Sequence, residues 1–382
     1  MIDSPLALLA FMFLVVALAR TLEKHFKVIE KISSAVVCTL LGITLANIGV
    51  IPHNSVIHQG VYELAVPYAI VLVILSSRLA DLKKAGSRLI ICYGLAALGS
   101  FAGAFVASLL FNSVLGEETW KLGGTFAGAF VGGGMNFAAV ARGLEMTPNL
   151  FAAAFVADNL STVPWLLTQV GLFTLLGPFY RAHLKKPPIE EGADQTSARD
   201  TNPREYWTST EINIRDLALL AAFPLAALWI SRTFSPYLPG FPEVLWLTTL
   251  AVIAAQFPFV QKLKGAAVLS YFALHLFFIV IGATSNVREV IKAGPSLFVY
   301  MILILVIHAI VLYGVGWLLR MDLPTISVAS QATVGGPGSA LALSMAMKWN
   351  RLVTPGIIVG IFGYALGNYI GFACAYLLRG IL

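Results

Sequence analysis

Long apolar segments recur along the whole chain, and this recurrence is the feature that most limits what the chain can fold into. Twelve segments are long enough, or nearly long enough, to cross a bilayer as helices. The first six cover residues 5–22, 32–51, 61–79, 89–115, 123–141 and 148–180; the second six cover 214–234, 241–260, 266–286, 297–319, 326–347 and 353–378. The pattern therefore predicts an all-α polytopic membrane protein.

Composition and charge exclude the soluble alternatives. Of 382 residues, 58% are hydrophobic and only 12% are charged, whereas soluble domains have about a quarter of their residues charged. The net charge of +6 does not indicate nucleic-acid binding, because the Lys and Arg residues lie in the joints between apolar segments. The N-terminal segment lacks a basic start and a small-residue cleavage site, so we interpret it as a retained first span.

The two sets of six segments correspond to each other, which indicates an internal duplication. The clearest match is between residues 130–159 and 333–362. Each contains a glycine cluster, a short amphipathic stretch, a charged joint, a proline and a long apolar run, and duplication of this kind is common in transporters. We predict a first transmembrane repeat at 1–180, a polar cytoplasmic linker at 181–211 and a second transmembrane repeat at 212–382.

The fifth segment of each half contains the glycine cluster, and we predict that the helix is broken there. The two clusters consist of Gly132, Gly133 and Gly134, and of Gly335, Gly336 and Gly338 around Pro337. A helix broken in the middle of a membrane exposes unpaired N–H and C=O groups, which can bind ions and substrates. The alternative is that these glycines only allow close helix packing, which is our interpretation of the four-residue ladders Gly124, Gly128, Gly132 and Gly363, Gly367, Gly371.

The distribution of positive charge favours halves of opposite orientation. If both broken segments enter and leave on one side and the N-terminus is outside, 19 of the 25 Lys and Arg residues lie inside and 6 outside. Twelve complete crossings would give 14 inside and 11 outside. The positive-inside rule thus favours two inverted repeats, each of about five spans plus one glycine-broken segment, which is either re-entrant or discontinuous.

Polar residues inside the apolar segments are the candidate ligands. Asp158 is the one carboxylate well inside a long apolar run, so we predict a functional role, as a Na+ ligand together with Asn159 or as a proton carrier. The alternative is an aspartate that caps a kink or pairs with a basic residue. The other candidate solute- and ion-binding residues lie at the glycine clusters or in the matching part of the second half, and they are Asn136, Gln331, Thr333, Ser339 and Asn368. We interpret Arg142 as reaching towards water from a span end, and His275 and His308 as packing residues.

The stretches at 131–144, 155–161 and 334–343 resemble the YjcL-like family of uncharacterised membrane proteins, also called DUF819. That family resembles the superfamily of cation-proton antiporters and anion transporters, which includes bile-acid, citrate and glutamate sodium symporters. The resemblance implies a core domain that holds the two broken segments, a scaffold domain and a homodimer. It also implies core polar positions at Asn136, Asp158 and Asn159. The antiporters carry an Asp-Asp or Asn-Asp pair where this chain has Asp158 followed by Asn159, which weakens the case for antiport.

We therefore expect a secondary active transporter, coupled to Na+ or H+, that moves a small anionic organic solute by alternating access. A cation/proton antiporter is the alternative within transport, and a non-transport membrane receptor or scaffold is the alternative of another class. No catalytic set is visible in the sequence, so we expect no enzyme activity and no cofactor apart from the coupling ion. The expected partners are the solute, the lipid bilayer and a second copy of the chain, with no nucleic acid. The expected location is a bacterial inner membrane, with the N-terminus outside.

Overall fold

The computed structural model describes residues 2, 4–26, 29, 33–75, 77–183, 211–238 and 241–382. Within these ranges the chain is helical and contains no β-strand. Of the linker predicted at 181–211, residues 181–183 continue the preceding helix and Glu211 is non-helical; the rest lies outside the described residues.

The helices of the two halves follow the predicted order. The first half contains α1 (Pro5–His25), α2 (Ser34–Asn47), α3 (Val56–Ile74), the single turn α4 (Leu82–Ala85), α5 (Ser87–Leu115), α6 (Thr119–Gly132), α7 (Gly134–Gly143) and α8 (Pro148–His183). The second half contains α9 (Ile214–Phe234), α10 (Glu243–Ala254), α11 (Ala266–Ala283), α12 (Val287–Leu318), α13 (Leu323–Val334), α14 (Gly336–Ala346) and α15 (Asn350–Arg379).

Eight of the described helices are long and apolar enough to cross a membrane, namely α1, α3, α5, α8, α9, α11, α12 and α15. The shorter apolar helices α2 and α10 occupy matching places in the two halves. The remaining two predicted segments are the glycine-containing ones, and each is divided into two short helices. The prediction of a helical membrane protein with many apolar segments is therefore confirmed.

Two helices begin before the apolar segments that they contain, and capping residues mark their starts. Helix α12 begins at Val287, ten residues before the apolar segment at 297–319, where the Asn286 side chain accepts a hydrogen bond from the Arg288 N–H at 2.9 Å. Pro295 lies inside this helix without ending it. Helix α3 begins at Val56 rather than at 61, because the Ser55 hydroxyl accepts from the His58 N–H at 3.0 Å.

Two pairs of matching helices pack antiparallel. In α5 and α12, Ser108 and Tyr300 join their hydroxyls at 2.7 Å, and Ser100 lies 2.9 Å from His308. Of the two α5 residues, the one nearer the C-terminus therefore contacts the α12 residue nearer the N-terminus, so the two helices run in opposite directions. In α3 and α11, the Ser270 hydroxyl donates to the Ala69 carbonyl at 2.9 Å, while the Tyr62 and Phe277 rings lie 5.7 Å apart.

Helices α6 and α15 pack backbone to backbone through the two glycine ladders. A Cβ added to Gly128 would lie 3.0 Å from the Gly367 carbonyl oxygen, and one added to Gly367 would lie 2.7 Å from the Gly128 oxygen. The same reciprocal contact joins Gly124 to Gly371. The ladders thus have the packing geometry expected of small residues at four-residue spacing.

Candidate functional site

The first glycine cluster breaks the helix at Gly133. Helix α6 ends at Gly132, Gly133 has φ 87° and ψ −171°, and α7 begins at Gly134. Only glycine adopts this conformation at low cost. The backbone already departs from helical geometry at Phe130, whose carbonyl accepts a hydrogen bond from the Ser100 hydroxyl at 2.7 Å. A side chain of the neighbouring helix α5 therefore supplies a hydrogen bond to a backbone carbonyl near the break.

The broken segment returns to the end where it began. The Lys121 ammonium in the first turn of α6 donates to the Glu145 carbonyl, just after α7, at 2.8 Å. The Thr147 hydroxyl donates to the Glu118 carboxylate at 2.6 Å. The start of α6 and the end of α7 are consequently in direct contact.

The second break lies at the matching glycines. Helix α13 ends at Val334, and α14 begins at Gly336, which has φ 74°. Pro337 and Gly338 belong to the first turn of α14 and not to the gap. Proline is well tolerated there, because the first turn of a helix does not use its N–H groups.

The two breaks face each other. A Cβ on Gly133 would lie 3.7 Å from the Gly336 Cα, and one on Gly336 would lie 3.9 Å from the Gly132 carbonyl oxygen. Gly134 and Gly338, in the first turns of the second half-helices, are exposed. The breaks therefore form one buried crossing point, with one exposed residue in the first turn of each second half-helix.

Asn136 and Asn368, both predicted as ligands, are brought together beside this crossing. The buried Asn136 amide nitrogen donates to the Tyr364 carbonyl at 2.8 Å and to the Asn368 Oδ1 at 2.7 Å. Asn368 in turn donates to the Thr248 hydroxyl at 2.8 Å. The Asn136 Oδ1, which lies against Gly132, has no hydrogen-bond partner among the described residues.

Gln331 places an amide with no partner on either polar atom at the other break. Its side chain is fully buried, and neither Nε2 nor Oε1 has a partner in the described part of the chain. A Cβ on Gly335 would lie 3.1 Å from the Gln331 Nε2 and in contact with the Ser339 hydroxyl. Leaving a buried polar group unpaired costs about 1–3 kcal/mol, so this amide is the strongest ligand candidate in the structure.

The neighbouring residue Ser330 is also fully buried, but its hydroxyl has hydrogen-bond partners. Its hydroxyl oxygen accepts from the Gln169 amide at 2.7 Å and from the Trp165 indole N–H at 3.2 Å, so its own O–H is left to donate to the His308 Nε2 at 2.9 Å. The other His308 nitrogen lies 2.9 Å from the Ser100 hydroxyl, which itself donates to a carbonyl. This assigns a neutral His308 with the proton on Nδ1. The sequence did not indicate this network, since its members lie on four helices.

Asp158 is buried, with 7% of its surface exposed, and no hydrogen bond or ion pair to its carboxylate occurs among the described residues. Phe155, about one helical turn earlier, lies 3.9 Å from where a Gly134 Cβ would be. Asn159 is engaged elsewhere, since its Oδ1 lies 3.3 Å from the Ser33 hydroxyl and its nitrogen donates to the Phe155 carbonyl.

The remaining predicted residues have local roles. The Thr333 hydroxyl donates to the Ser330 carbonyl within α13 at 2.9 Å. The His275 ring bonds Ser34 at 2.9 Å and the Tyr271 carbonyl at 2.7 Å. His275, like His308, thus uses both ring nitrogens in contacts with the protein.

These features define a polytopic helical membrane protein in which two interrupted helices meet at a buried polar point. The chain belongs to the family described as "Protein of unknown function (DUF819)", whose sequence profile matches residues 9–381. It is similar to the "Uncharacterized membrane protein YjcL" of Bacillus subtilis (strain 168), with 29% identity over 382 residues, covering 97% of this chain and 96% of that protein. The predicted resemblance to DUF819 is confirmed, while the wider superfamily stays a prediction.

Proposed function

We propose that this protein is a secondary active transporter that couples Na+ or H+ to the movement of a small anionic organic solute. The observation that supports the proposal is the meeting of the two helix breaks beside the unpaired Oδ1 of Asn136 and the unpaired amide of Gln331. A buried polar group without a partner is expected at a ligand site. A receptor or scaffold has no comparable need for two matching breaks in contact.

The proposed mechanism uses inverted halves and alternating access. The antiparallel packing of α3 with α11 and of α5 with α12 supports the inversion, because these pairs occupy matching places in the two halves. The contact between the start of α6 and the end of α7 supports a re-entrant segment, which the inversion requires. We assign the broken helices to the core domain and the helices around α3 and α11 to the scaffold domain.

The chemistry at the crossing fits an anion and a cation together. The N-termini of α7 and α14 carry partial positive charge, which favours an anionic group, and one residue in each first turn, Gly134 or Gly338, is exposed. The Asn136 Oδ1 and the Gln331 Oε1 are oxygens available to coordinate a cation or accept a proton donor. This arrangement favours symport of an anion over antiport of cations alone.

Asp158→Asn is expected to abolish transport, or reduce it strongly, while the protein stays folded. The Asn side chain keeps the size of the carboxylate but can neither carry a proton nor supply a negative charge to Na+. Uptake into proteoliposomes and thermal unfolding would measure the two properties. Asp216→Asn is the matched control, because Asp216 is equally buried and accepts the Lys264 N–H at 3.2 Å, a bond that asparagine can keep. Full transport by Asp158→Asn would remove this residue from the mechanism.

The function itself is tested by thermal unfolding of the purified protein with Na+, at several pH values and with a panel of small carboxylates and other metabolites. Binding raises stability by about 2.7 kcal/mol at a ligand concentration of 100 times its Kd. A rise with Na+ and one solute class, followed by Na+-driven uptake of that solute, is the expected result. Sensitivity to pH without sensitivity to Na+ would indicate H+ coupling. No response to any solute and no uptake would favour the receptor or scaffold alternative.

A further inference from the structure

Arg142 lies near the end of α7, and its side chain is held inside the protein rather than in water. The side chain is 12% exposed. Its Nε donates to the Tyr62 carbonyl at 3.0 Å, and its Nη2 donates to the Glu63 carbonyl at 3.1 Å. Both acceptors belong to α3, so Arg142 is fixed by contacts within the protein as well as lying at the end of a predicted span.

Pro67 explains why α3 offers an acceptor at this place. In an α-helix the carbonyl of residue 63 would accept from the N–H of residue 67, and proline has none. The Glu63 carbonyl is therefore left without its helical donor, and the guanidinium of Arg142 supplies one. The acceptor for Arg142 is thus formed by the sequence of α3 itself.

Glu243, the first residue of α10, holds Arg142 from the other side. Its two oxygens are divided between two arginines: Oε1 lies 3.5 Å from the Arg142 Nη1, and Oε2 lies 3.2 Å from the Arg232 Nε. The start of a helix also favours the negative charge of Glu243. If Arg142 moved away, Glu243 would keep one partner and would not be left as an isolated charge.

The contacts lie at the edge of an open cavity of about 490 Å³, whose lining includes Arg142, Glu145, Glu243 and Tyr376. This space lies beside the end of α7, where Arg142 and Gly143 both line it.

We propose that Arg142 is a releasable latch that holds α7 against α3 and α10, and that its release allows the half-helix at the first break to move. Arg142 is a positioning residue that acts on the site through α7. The inference rests on the proposed function in one respect, since a carrier must move this half-helix. It goes beyond that function by naming the residue that controls the movement.

The test uses a cysteine at Met135 as a reporter of access to the break. Met135 is half-buried next to Gly134, and its sulfur lies 3.8 Å from the Ser270 hydroxyl. The natural cysteines Cys38, Cys92 and Cys374 are buried and unpaired, so they are first replaced by alanine. The rate at which a water-soluble maleimide labels Met135→Cys is then measured in detergent solution, with no solute required.

Arg142→Gln is expected to raise the labelling rate about tenfold or more, the factor that corresponds to losing one charge-assisted hydrogen bond. Arg142→Lys is expected to be intermediate, because lysine keeps the charge but cannot form the same forked contact. Arg379→Gln is the matched control. The Arg379 guanidinium lies at the end of α15, 5.2 Å from the centre of the Trp120 ring. We expect the labelling rate to stay unchanged in this variant.

Pro67→Ala keeps the test decisive if Arg142→Gln fails to fold. The alanine N–H would bond the Glu63 carbonyl and so compete with Arg142 for this acceptor without changing any charge. We expect faster labelling in this variant also. Unchanged labelling in a folded Arg142→Gln or Pro67→Ala protein, or an equal rise in Arg379→Gln, would overturn the latch. Because labelling needs no transported solute, failure of the latch is distinguishable from failure of the transport proposal.

Discussion

Gln331→Met is expected to give a protein at least as stable as the parent that no longer transports. Both polar atoms of the Gln331 amide are buried without partners in the described part of the chain, so they cost free energy in the ligand-free protein. Methionine fills a similar volume without polar groups that need partners. Removing the amide should therefore raise the free energy of unfolding by up to about 1–3 kcal/mol, while the ligand loses its contact.

Gln169→Met is the matched control for this prediction. Gln169 is equally buried, but its amide donates to Ser330 at 2.7 Å and accepts from the Tyr313 hydroxyl. Its replacement should lower stability by about 1–3 kcal/mol, because partners are left unpaired. Thermal unfolding in detergent and uptake into proteoliposomes would be measured for both variants. Strong destabilisation by Gln331→Met would show that its amide is structural.

Gly367→Leu is expected to prevent folding or to lower stability by about 3 kcal/mol or more. A Cβ at this position would lie 2.7 Å from the Gly128 carbonyl oxygen and 2.8 Å from the Asn136 amide nitrogen. Neither neighbour can yield, since one is backbone and the other is fixed by its own hydrogen bonds. The leucine would separate α6 from α15 and displace Asn136 from the site.

The control for this substitution is Gly94→Leu in α5. No heavy atom lies within 4 Å of where a Gly94 Cβ would be, and the position is exposed. We expect expression and thermal unfolding close to those of the parent. A well-folded Gly367→Leu protein would mean that the two helices are not in backbone contact.

The sequence predicted the positions of the two breaks because consecutive glycines destabilise a helix, whereas close helix packing needs only one small residue in every four. Gly133 and Gly336 both adopt positive φ angles that other residues avoid. The long apolar segments were equally clear from composition. Helix starts were less clear, because capping by Asn286 and Ser55 outweighed the apolar pattern that was used to place the boundaries.

The partners of polar side chains could not be predicted, because they depend on which helices pack together. Ser330 and Gln331 are adjacent in α13, yet one is fully bonded and the other has no partner among the described residues. Successive residues of a helix point about 100° apart, so they meet different neighbours. The Arg142 contact did have a signal in the sequence, namely Pro67 inside a predicted span, which leaves one carbonyl in need of a donor.

The most direct test of the site is the stabilisation of the purified parent and of Gln331→Met by Na+ and by the solute that the panel identifies. We expect these ligands to raise the unfolding temperature of the parent. We expect no rise in Gln331→Met, although that variant should unfold at the same or a higher temperature without ligand. Equal stabilisation of both proteins would place the binding site away from the crossing of the two breaks and would exclude the Gln331 amide as a ligand.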